Sequence, residues 1–361
     1  MFSARHSIAR TVLLLYCVSK LFHVFDPKMV IIVLSSQICV LKECNMVANQ
    51  MKSLVKAAAR SLPQKRRLLR FGANLHPALK SSFSLRICSF LSSQIGEPIE
   101  VETNLGFSNR KYIFSSHHVM PSFGKPSLYA GERAALLMTR FLSNYADAFV
   151  DVGSHLGYFS YYVRHYLPEE KPIYLFEPDN DLFAVILKNI EKAKLKNIHP
   201  SSNALSDKDG IITFYKNIYH PDCNSITSTY SEVHKVVEVS INSTRFDTFI
   251  EENNLHNLCV KVDIENAEEQ FVLGADSCIA RISYLVIEVL GRAHKKGFVD
   301  MMIDKYSLHA YYINDFSLEH YKDQNFRYQA PQYNWLFCRE NPSQLRMLLQ
   351  DTPFTISEPQ R

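Results

Sequence analysis

From residue 131 onward, short apolar runs alternate with stretches of helical periodicity, and this alternation constrains the fold more than any other feature of the chain. Glu132–Ser143 spaces Ala135, Leu136, Met138, Phe141 and Leu142 along one face of a helix. Ala146–Val152 is a short β-rich apolar run, Tyr158–Tyr166 an aromatic helical stretch, and Ile173–Phe176 a second apolar strand. Asp181–Ala193 is a helix with Leu182, Val185, Ile186, Leu187 and Ile190 on its buried side. Asn197–Asn203 reads as a weaker strand and Val260–Ile264 as an apolar strand broken only by Lys261 and Asp263. Ala267–Leu273 is helical, and Ile282–Leu290 is another buried strand. Strands alternating with helices predict an α/β fold with a mostly parallel, doubly wound sheet. Ligands on such sheets bind outside the carboxyl ends of the strands.

Several polar residues fall at those ends. Asp151-Val152-Gly153-Ser154-His155-Leu156-Gly157 closes the first strand with two glycines framing a tight turn. Glycine there permits positive φ and close approach of backbone to a ligand. The pattern is neither GxGxxG nor a P-loop, so by itself it is a weak signal that reads equally as a plain turn. Glu177 ends the next strand, 20 residues past Gly157. A carboxylate in that place accepts hydrogen bonds from both hydroxyls of an adenosine ribose, or it is a surface acid before Pro178. Together the two elements favour a nucleoside ligand, without separating S-adenosylmethionine from NAD.

At this level of detail the chain resembles the FkbM family of S-adenosylmethionine-dependent methyltransferases, from about Gly131 to Phe337. The first motif, roughly DVGANxG in the family, is Asp151 to Gly157 here, with Ser154 and His155 replacing Ala and Asn. The second, Phe-Glu-Pro at a strand end, is Phe176-Glu177-Pro178, with Asn189 on the following helix. Ala204-Leu205-Ser206-Asp207, then Gly210 and Phe214, resembles the family's Ala-x-x-Asp…Gly turn, and Phe246-Asp247-Thr248-Phe249 its Leu-Asp-x-Leu segment. The most specific block is Val260 to Glu268 followed by Val272-Leu273-Gly274, similar to KxDxEGxExxxLxG with Asn266 in place of a glycine. Asn tolerates the left-handed region better than most residues, so that turn is expected to survive. Ile287-Glu288-Val289 and Trp335-Leu336-Phe337 resemble later strands of the family.

The resemblance implies a Rossmann-like class I methyltransferase fold that binds S-adenosyl-L-methionine and methylates a hydroxyl on a sugar, glycan or related metabolite. It assigns Asp151, Gly153, Ser154, His155, Gly157, Glu177, Asn203 and Ala204 to the cofactor. Asp151 would hold the turn or the cofactor's ammonium, Glu177 the ribose diol, and Asn203 with Ala204 the adenine. Asp263 and Glu265 would be the catalytic acids, orienting the hydroxyl or taking its proton. Glu268 reads equally as a complement to the helix dipole. Asp263, Glu265 and Glu268 could together ligate Mg²⁺, but no further ligand accompanies them and no metal is expected. His117-His118 read as polar surface. The insert between Leu205 and Leu258 is expected to add a hairpin over the site. A non-catalytic cofactor-binding protein and an NAD-dependent oxidoreductase remain the alternatives.

Charge divides the chain. Residues 1–80 hold thirteen Lys/Arg against Asp26 and Glu43, a net +11, so the overall +4 leaves −7 for the remainder. Such a basic arm reads as a solvated leader or as a patch for an anionic surface. The apolar runs Thr11–Val18 and Met29–Leu41 are each shorter than the roughly 18–20 residues that span a bilayer. They suit a weak signal sequence or organelle presequence, or residues ahead of a start at Met46 or Met51, rather than a firm anchor. Eight cysteines with no CxxC pair point to a reducing compartment. The expected organisation is a leader over 1–50, a helical or irregular region over 51–130, a methyltransferase domain over 131–342 and a tail over 343–361. A cytoplasmic location is expected. So is a small-molecule or glycan acceptor with no nucleic-acid partner.

Overall fold

The computed structural model describes residues 100–103, 110–115, 129–217, 223–228, 236–290, 297–322 and 333–357. The leader, the helices expected within Met51–Leu91 and the His117-His118 pair lie outside the described residues. Two compact units divide the chain, residues 1–102 with 115–124 and residues 103–114 with 125–361. Strand β1 (Glu100–Thr103) ends the long segment of the first unit. Nearly all of the remaining described backbone belongs to the second.

The elements of the second unit follow the predicted alternation. After β2 (Tyr112–Ser115) come α1 (Tyr129–Ser143), β3 (Ala148–Val152), α2 (Tyr158–Tyr166), β4 (Ile173–Phe176), α3 (Asn180–Lys192) and β5 (Ile198–Ser201). The insert supplies β6 (Ala204–Ser206), β7 (Gly210–Asn217), β8 (Val236–Arg245) and α4 (Phe246–Glu252). The chain then makes β9 (Leu258–Val262), α5 (Glu268–Gly274), β10 (Ile282–Glu288), α6 (Phe298–Tyr306), β11 (His309–Asn314), β12 (Ser317–His320), β13 (Asn334–Cys338), α7 (Pro342–Leu348) and β14 (Thr355–Ser357).

Nine strands form one sheet in the order β14-β12-β11-β13-β10-β9-β3-β4-β5. From β10 to β5 every pairing is parallel. β13 is inserted antiparallel between β10 and β11. From β3 the chain winds outward through β4 and β5, then returns to β9 on the other side of β3. That reversal is the topological switch point, where ligands of such sheets bind. This is the doubly wound sheet that the strand and helix alternation predicts, in the class I methyltransferase arrangement that the family resemblance implies.

Period-two alternation explains the two helical layers. Ala148, Val150 and Val152, Leu258, Val260 and Val262, and Leu285 and Ile287 share one core with Phe246, Phe249, Phe271 and Met302 of the helices. The alternate residues Asp151, Cys259 and Lys261 face the opposite side, where Cys259 Sγ contacts the Thr139 carbonyl of α1 at 3.8 Å. The helix α3 differs from its prediction in one respect. Leu187 is 45% exposed, and the buried stripe is Leu182, Ile186 and Asn189. Residues 182, 186 and 189 share one helical face, whereas 187 lies well around the cylinder from them.

The insert forms its own three-stranded sheet, β6-β8-β7, with an antiparallel hairpin of β7 and β8 and with β6 parallel to β8. Ala204, Phe214 and Ile241 make its small core. Phe246 of the Phe-Asp-Thr-Phe segment is fully buried. Asp247 accepts Arg245 Nε at 2.9 Å and Nη2 at 2.6 Å, so this motif is architectural. After residue 342 the chain adds α7, begun by an Asn341–Gln344 capping box, and β14, which extends the main sheet in parallel with β12. Among the described residues no helix is long and apolar enough to cross a membrane.

Asn189 ties β2 to the sheet layer. Its Oδ1 accepts the Ile113 N–H at 2.6 Å and its Nδ2 donates to the Ile113 carbonyl at 2.9 Å, imitating a strand partner. Beside it Tyr112 stacks on Tyr161 with ring centroids 5.0 Å apart. Asn189→Leu would leave both backbone groups unpaired, costing about 2–4 kcal/mol. Thermal denaturation should show a Tm lower by roughly 5 °C or more, with the fold retained.

Candidate active site

The glycine turn is built by the ends of β3 and β4. Gly153 and Ser154 both donate their N–H to the Phe176 carbonyl, at 3.1 and 3.0 Å. Positive φ recurs along the turn, at Gly153 (73°), His155 (51°) and Gly157 (78°). A side chain on Gly153 would place its Cβ 1.9 Å from the Asp263 carbonyl oxygen. At Gly157 a Cβ would meet the Tyr161 ring at 2.6 Å. The glycines thus owe their positions to the protein packing on itself. Asp151 is 1% exposed and accepts from Ser160 N at 3.1 Å and Ser160 Oγ at 2.7 Å, so it holds the turn and the start of α2. Burial, partly offset by the Lys261 charge, raises its pKa to about 6.

Glu177 meets this turn. Its Oε2 accepts the His155 N–H at 2.7 Å and its Oε1 the Asp179 N–H at 2.9 Å. Burial pushes its pKa up to about 8, against those two backbone donors. A carboxylate offers about four acceptor positions, so capacity remains for two hydroxyls. Ser154 Oγ is buried in the same turn and has no hydrogen-bond partner among the described residues. A polar atom left over beside a carboxylate with spare acceptor positions fits a hydroxyl-rich nucleoside.

Asn203 and Ala204 sit farther along. Asn203 Nδ2 donates to Thr244 Oγ1 at 2.9 Å, and the Ala204 side chain is part of the insert's small core. Both are thus engaged with the inserted sheet.

The acceptor side is made by the ends of β9 and β10. Asp263 N–H donates to the Val152 carbonyl at 3.0 Å, fastening the β9 turn to β3. Glu265 and Asn266 follow with φ of 52° and 70°, so the position where the family has glycine is left-handed as expected. Glu268 is buried and accepts the Asn266 N–H at 3.0 Å. Burial raises its pKa to about 7. It supports the turn rather than the acceptor edge.

Sequence reasoning did not assign Glu288 to the site, although the rule that found Asp263, an acid at the end of a buried strand, also applies to it. Oxygens of Asp263, Glu265 and Glu288 lie within 4.8 Å of one another, a spacing a divalent cation could bridge. Two ionised carboxylates at that spacing repel by about 3 kcal/mol at an effective dielectric of about 20. Lys261, 3% exposed, already supplies a cation there, with Nζ 2.6 Å from Asp263 Oδ2. Burial would raise the Asp263 pKa, but the Lys261 charge and hydrogen bond outweigh it and hold Asp263 below the usual range. Its side chain keeps 35% of its surface open.

The connection between β7 and β8 touches the cap of α3 and the β9 turn. Asn224 Nδ2 donates to Asp179 Oδ2 at 2.9 Å, and Ser225 Oγ donates to the Glu265 carbonyl at 2.6 Å. Asp179 also caps α3 and accepts Lys216 Nζ at 2.9 Å. An Asp before a helical run is a cap signal legible in sequence; the contacts from the insert are not.

Comparison with known proteins adds the following. Residues 151–328 match the family model described as the methyltransferase FkbM domain. A search of curated proteins found no match. Among solved structures, an rRNA methylase from Streptococcus thermophilus is similar at 8% identity and a TM-score of 0.32, over 56% of this chain and 92% of its own. A precorrin-6y C5,15-methyltransferase from Geobacter metallireducens shows 11% identity and a TM-score of 0.32, over 57% and 87%. TYW2 of M. jannaschii, solved with AdoMet, shows 12% and 0.35, over 67% and 84%. At these scores the likenesses add nothing to what the strand order already shows.

Asp151, Glu177 and Glu268 all hold their protons to a higher pH folded than unfolded. The stabilisation this brings is complete below about pH 4 and is lost as pH rises through the folded values. Tm should therefore fall between pH 5 and pH 8. In Glu177→Gln that fall should be smaller by about 3 °C or more, measured by calorimetric scans at each pH.

Proposed function

We propose that this chain, whose residues 151–328 match the methyltransferase FkbM domain model, transfers the methyl group of S-adenosyl-L-methionine to a hydroxyl of a sugar, glycan or related metabolite. The observation that carries the reading is the 2.7 Å bond from His155 N–H to Glu177 Oε2, which joins the glycine turn of β3 to the carboxylate of β4. A glycine turn beside a carboxylate, on neighbouring parallel strands, is the arrangement that grips an adenosyl ribose. Glu177 would accept the ribose hydroxyls, Ser154 Oγ would gain the partner it lacks, and the backbone between Gly153 and Gly157 would face the methionine part. Asp151 acts indirectly, by fixing the turn. Asn203 and Ala204 would bound the adenine through backbone and neighbouring surface.

The cofactor, when bound, supplies an electrophilic methyl on a positively charged sulfur. The protein's task is then alignment and proton removal. Asp263 and Glu265 stand at the end of β9, next to the glycine turn, and would orient the acceptor oxygen and receive its proton. The crowding of carboxylates at this edge supports a neutral, hydroxyl-rich acceptor, because carboxylates accept from hydroxyls and repel phosphate.

Calorimetry with S-adenosylmethionine, S-adenosylhomocysteine and NAD tests the reading, and binding of NAD alone would remove it. Glu177→Ala should weaken binding of S-adenosylhomocysteine at least roughly tenfold, the scale of two lost hydrogen bonds. Asp263→Asn should lower turnover more than cofactor affinity, scored by tritiated-methyl transfer into fractionated cell extract. Binding without transfer to any fraction would favour a non-catalytic protein.

A further inference from the structure

The peptide unit between Glu265 and Asn266 is gripped on both sides. Its oxygen, the Glu265 carbonyl, accepts from Ser225 Oγ at 2.6 Å. Its N–H, that of Asn266, donates to Glu268 Oε1 at 3.0 Å. The residues flanking this unit are both left-handed, with φ of 52° and 70°. A glutamate keeps that conformation only where its surroundings hold it there. Turning the peptide plane over would break both hydrogen bonds, and would change ψ of Glu265 and φ of Asn266 together. The two bonds therefore hold the turn in the geometry that brings a Glu265 carboxylate oxygen within 4.8 Å of one from Asp263.

Ser225 is itself firmly placed. It is 2% exposed, and its backbone exchanges two hydrogen bonds with Tyr215 of β7, at 2.8 and 3.3 Å. Its neighbour Asn224 accepts the Asn217 N–H through Oδ1 at 2.7 Å and donates through Nδ2 to Asp179 Oδ2 at 2.9 Å. Asp179 in turn donates its N–H to Glu177 Oε1. The brace on the acceptor turn is thus anchored at the strand end that carries Glu177. A carbonyl has no hydrogen to offer, so the Ser225 hydroxyl directs its single proton to Glu265. The Thr227 N–H, 3.1 Å away, donates to the same Ser225 oxygen.

We propose that Ser225 is a positioning residue for methyl transfer, and that it acts through the Glu265 carbonyl by fixing the peptide unit that carries Glu265 to the acceptor. The positioning role rests on the proposed function; the grip on the peptide unit does not. In the reaction the acceptor O–H bond breaks, and an O–CH₃ bond forms as the S–CH₃ bond breaks with its electron pair left on sulfur. The released proton goes to Asp263 or Glu265. Ser225 takes no part in that proton transfer, because its own proton stays on the Glu265 carbonyl.

Amide hydrogen exchange of the full chain tests the grip without any ligand. Ser225→Ala should speed exchange of the Asn266 amide roughly tenfold, the scale of one lost hydrogen bond. An unchanged rate would overturn the proposal. Tritiated-methyl transfer into fractionated cell extract, set beside calorimetry with S-adenosylhomocysteine, tests the positioning role. Ser225→Ala should lower transfer about tenfold while affinity for S-adenosylhomocysteine stays within about twofold of wild type. Equal losses in both would make Ser225 merely structural and overturn the role. In a Glu265→Gln background, Ser225→Ala should cost no more than about twofold further, because two changes acting through one group are not additive. A second full tenfold loss there would mean that Ser225 does not act through Glu265. Faster exchange in Ser225→Ala together with a wild type that binds no S-adenosylhomocysteine would end the functional reading and leave the grip standing.

Discussion

The backbone leaving β3 and the backbone leaving β9 touch. The space a side chain on Gly153 would need is filled by the Asp263 carbonyl, and the Asp263 N–H reaches back to the Val152 carbonyl. Every group at the carboxyl edge takes its place from this contact. It brings the glycine turn against the acidic turn, and its other side is fixed to β4 through the Phe176 carbonyl. Glu177, His155 and Asp263 therefore belong to one rigid edge, although they come from three strands far apart in the chain.

Electrostatics at that edge centre on Lys261, a buried ammonium that pairs with Asp263 at 2.6 Å and lies over the Phe159 ring at 4.8 Å. Burial pushes the Asp151 and Glu288 carboxyls above the usual range, while the Lys261 charge and hydrogen bond hold Asp263 below it. A carboxylate fixed by a lysine on one side and open on the other suits a group that must align a hydroxyl.

Much of this edge is legible in the amino-acid sequence. The Asp151–Gly157 turn, the Phe-Glu-Pro strand end and the Val260–Glu268 block each sit at a strand terminus, because turn residues and strand periodicity are local properties. Asn266 is a residue that tolerates a left-handed turn, and it adopts one at φ 70°. Local patterns mislead where the environment decides. Leu187 is apolar yet exposed, and Asn189 is polar yet fully buried because it replaces a strand partner for Ile113. Glu288 carries the same strand-end signal as Asp263, but its place beside Asp263 depends on the register of β10 against β9.

The sequence by itself determined the order and type of the elements from α1 to β5 and from β9 to β10, the two turns that need glycine or asparagine, and the acids at the strand ends, since each follows from backbone preference or from periodicity along a few residues. Only the tertiary structure decided that Asp263 pairs with Lys261, which way Asn203 and Ala204 face, and that the β7–β8 connection reaches the cap of α3 and the β9 turn through Asn224 and Ser225. Those outcomes depend on register and on desolvation, and both arise only when segments distant in sequence are packed together.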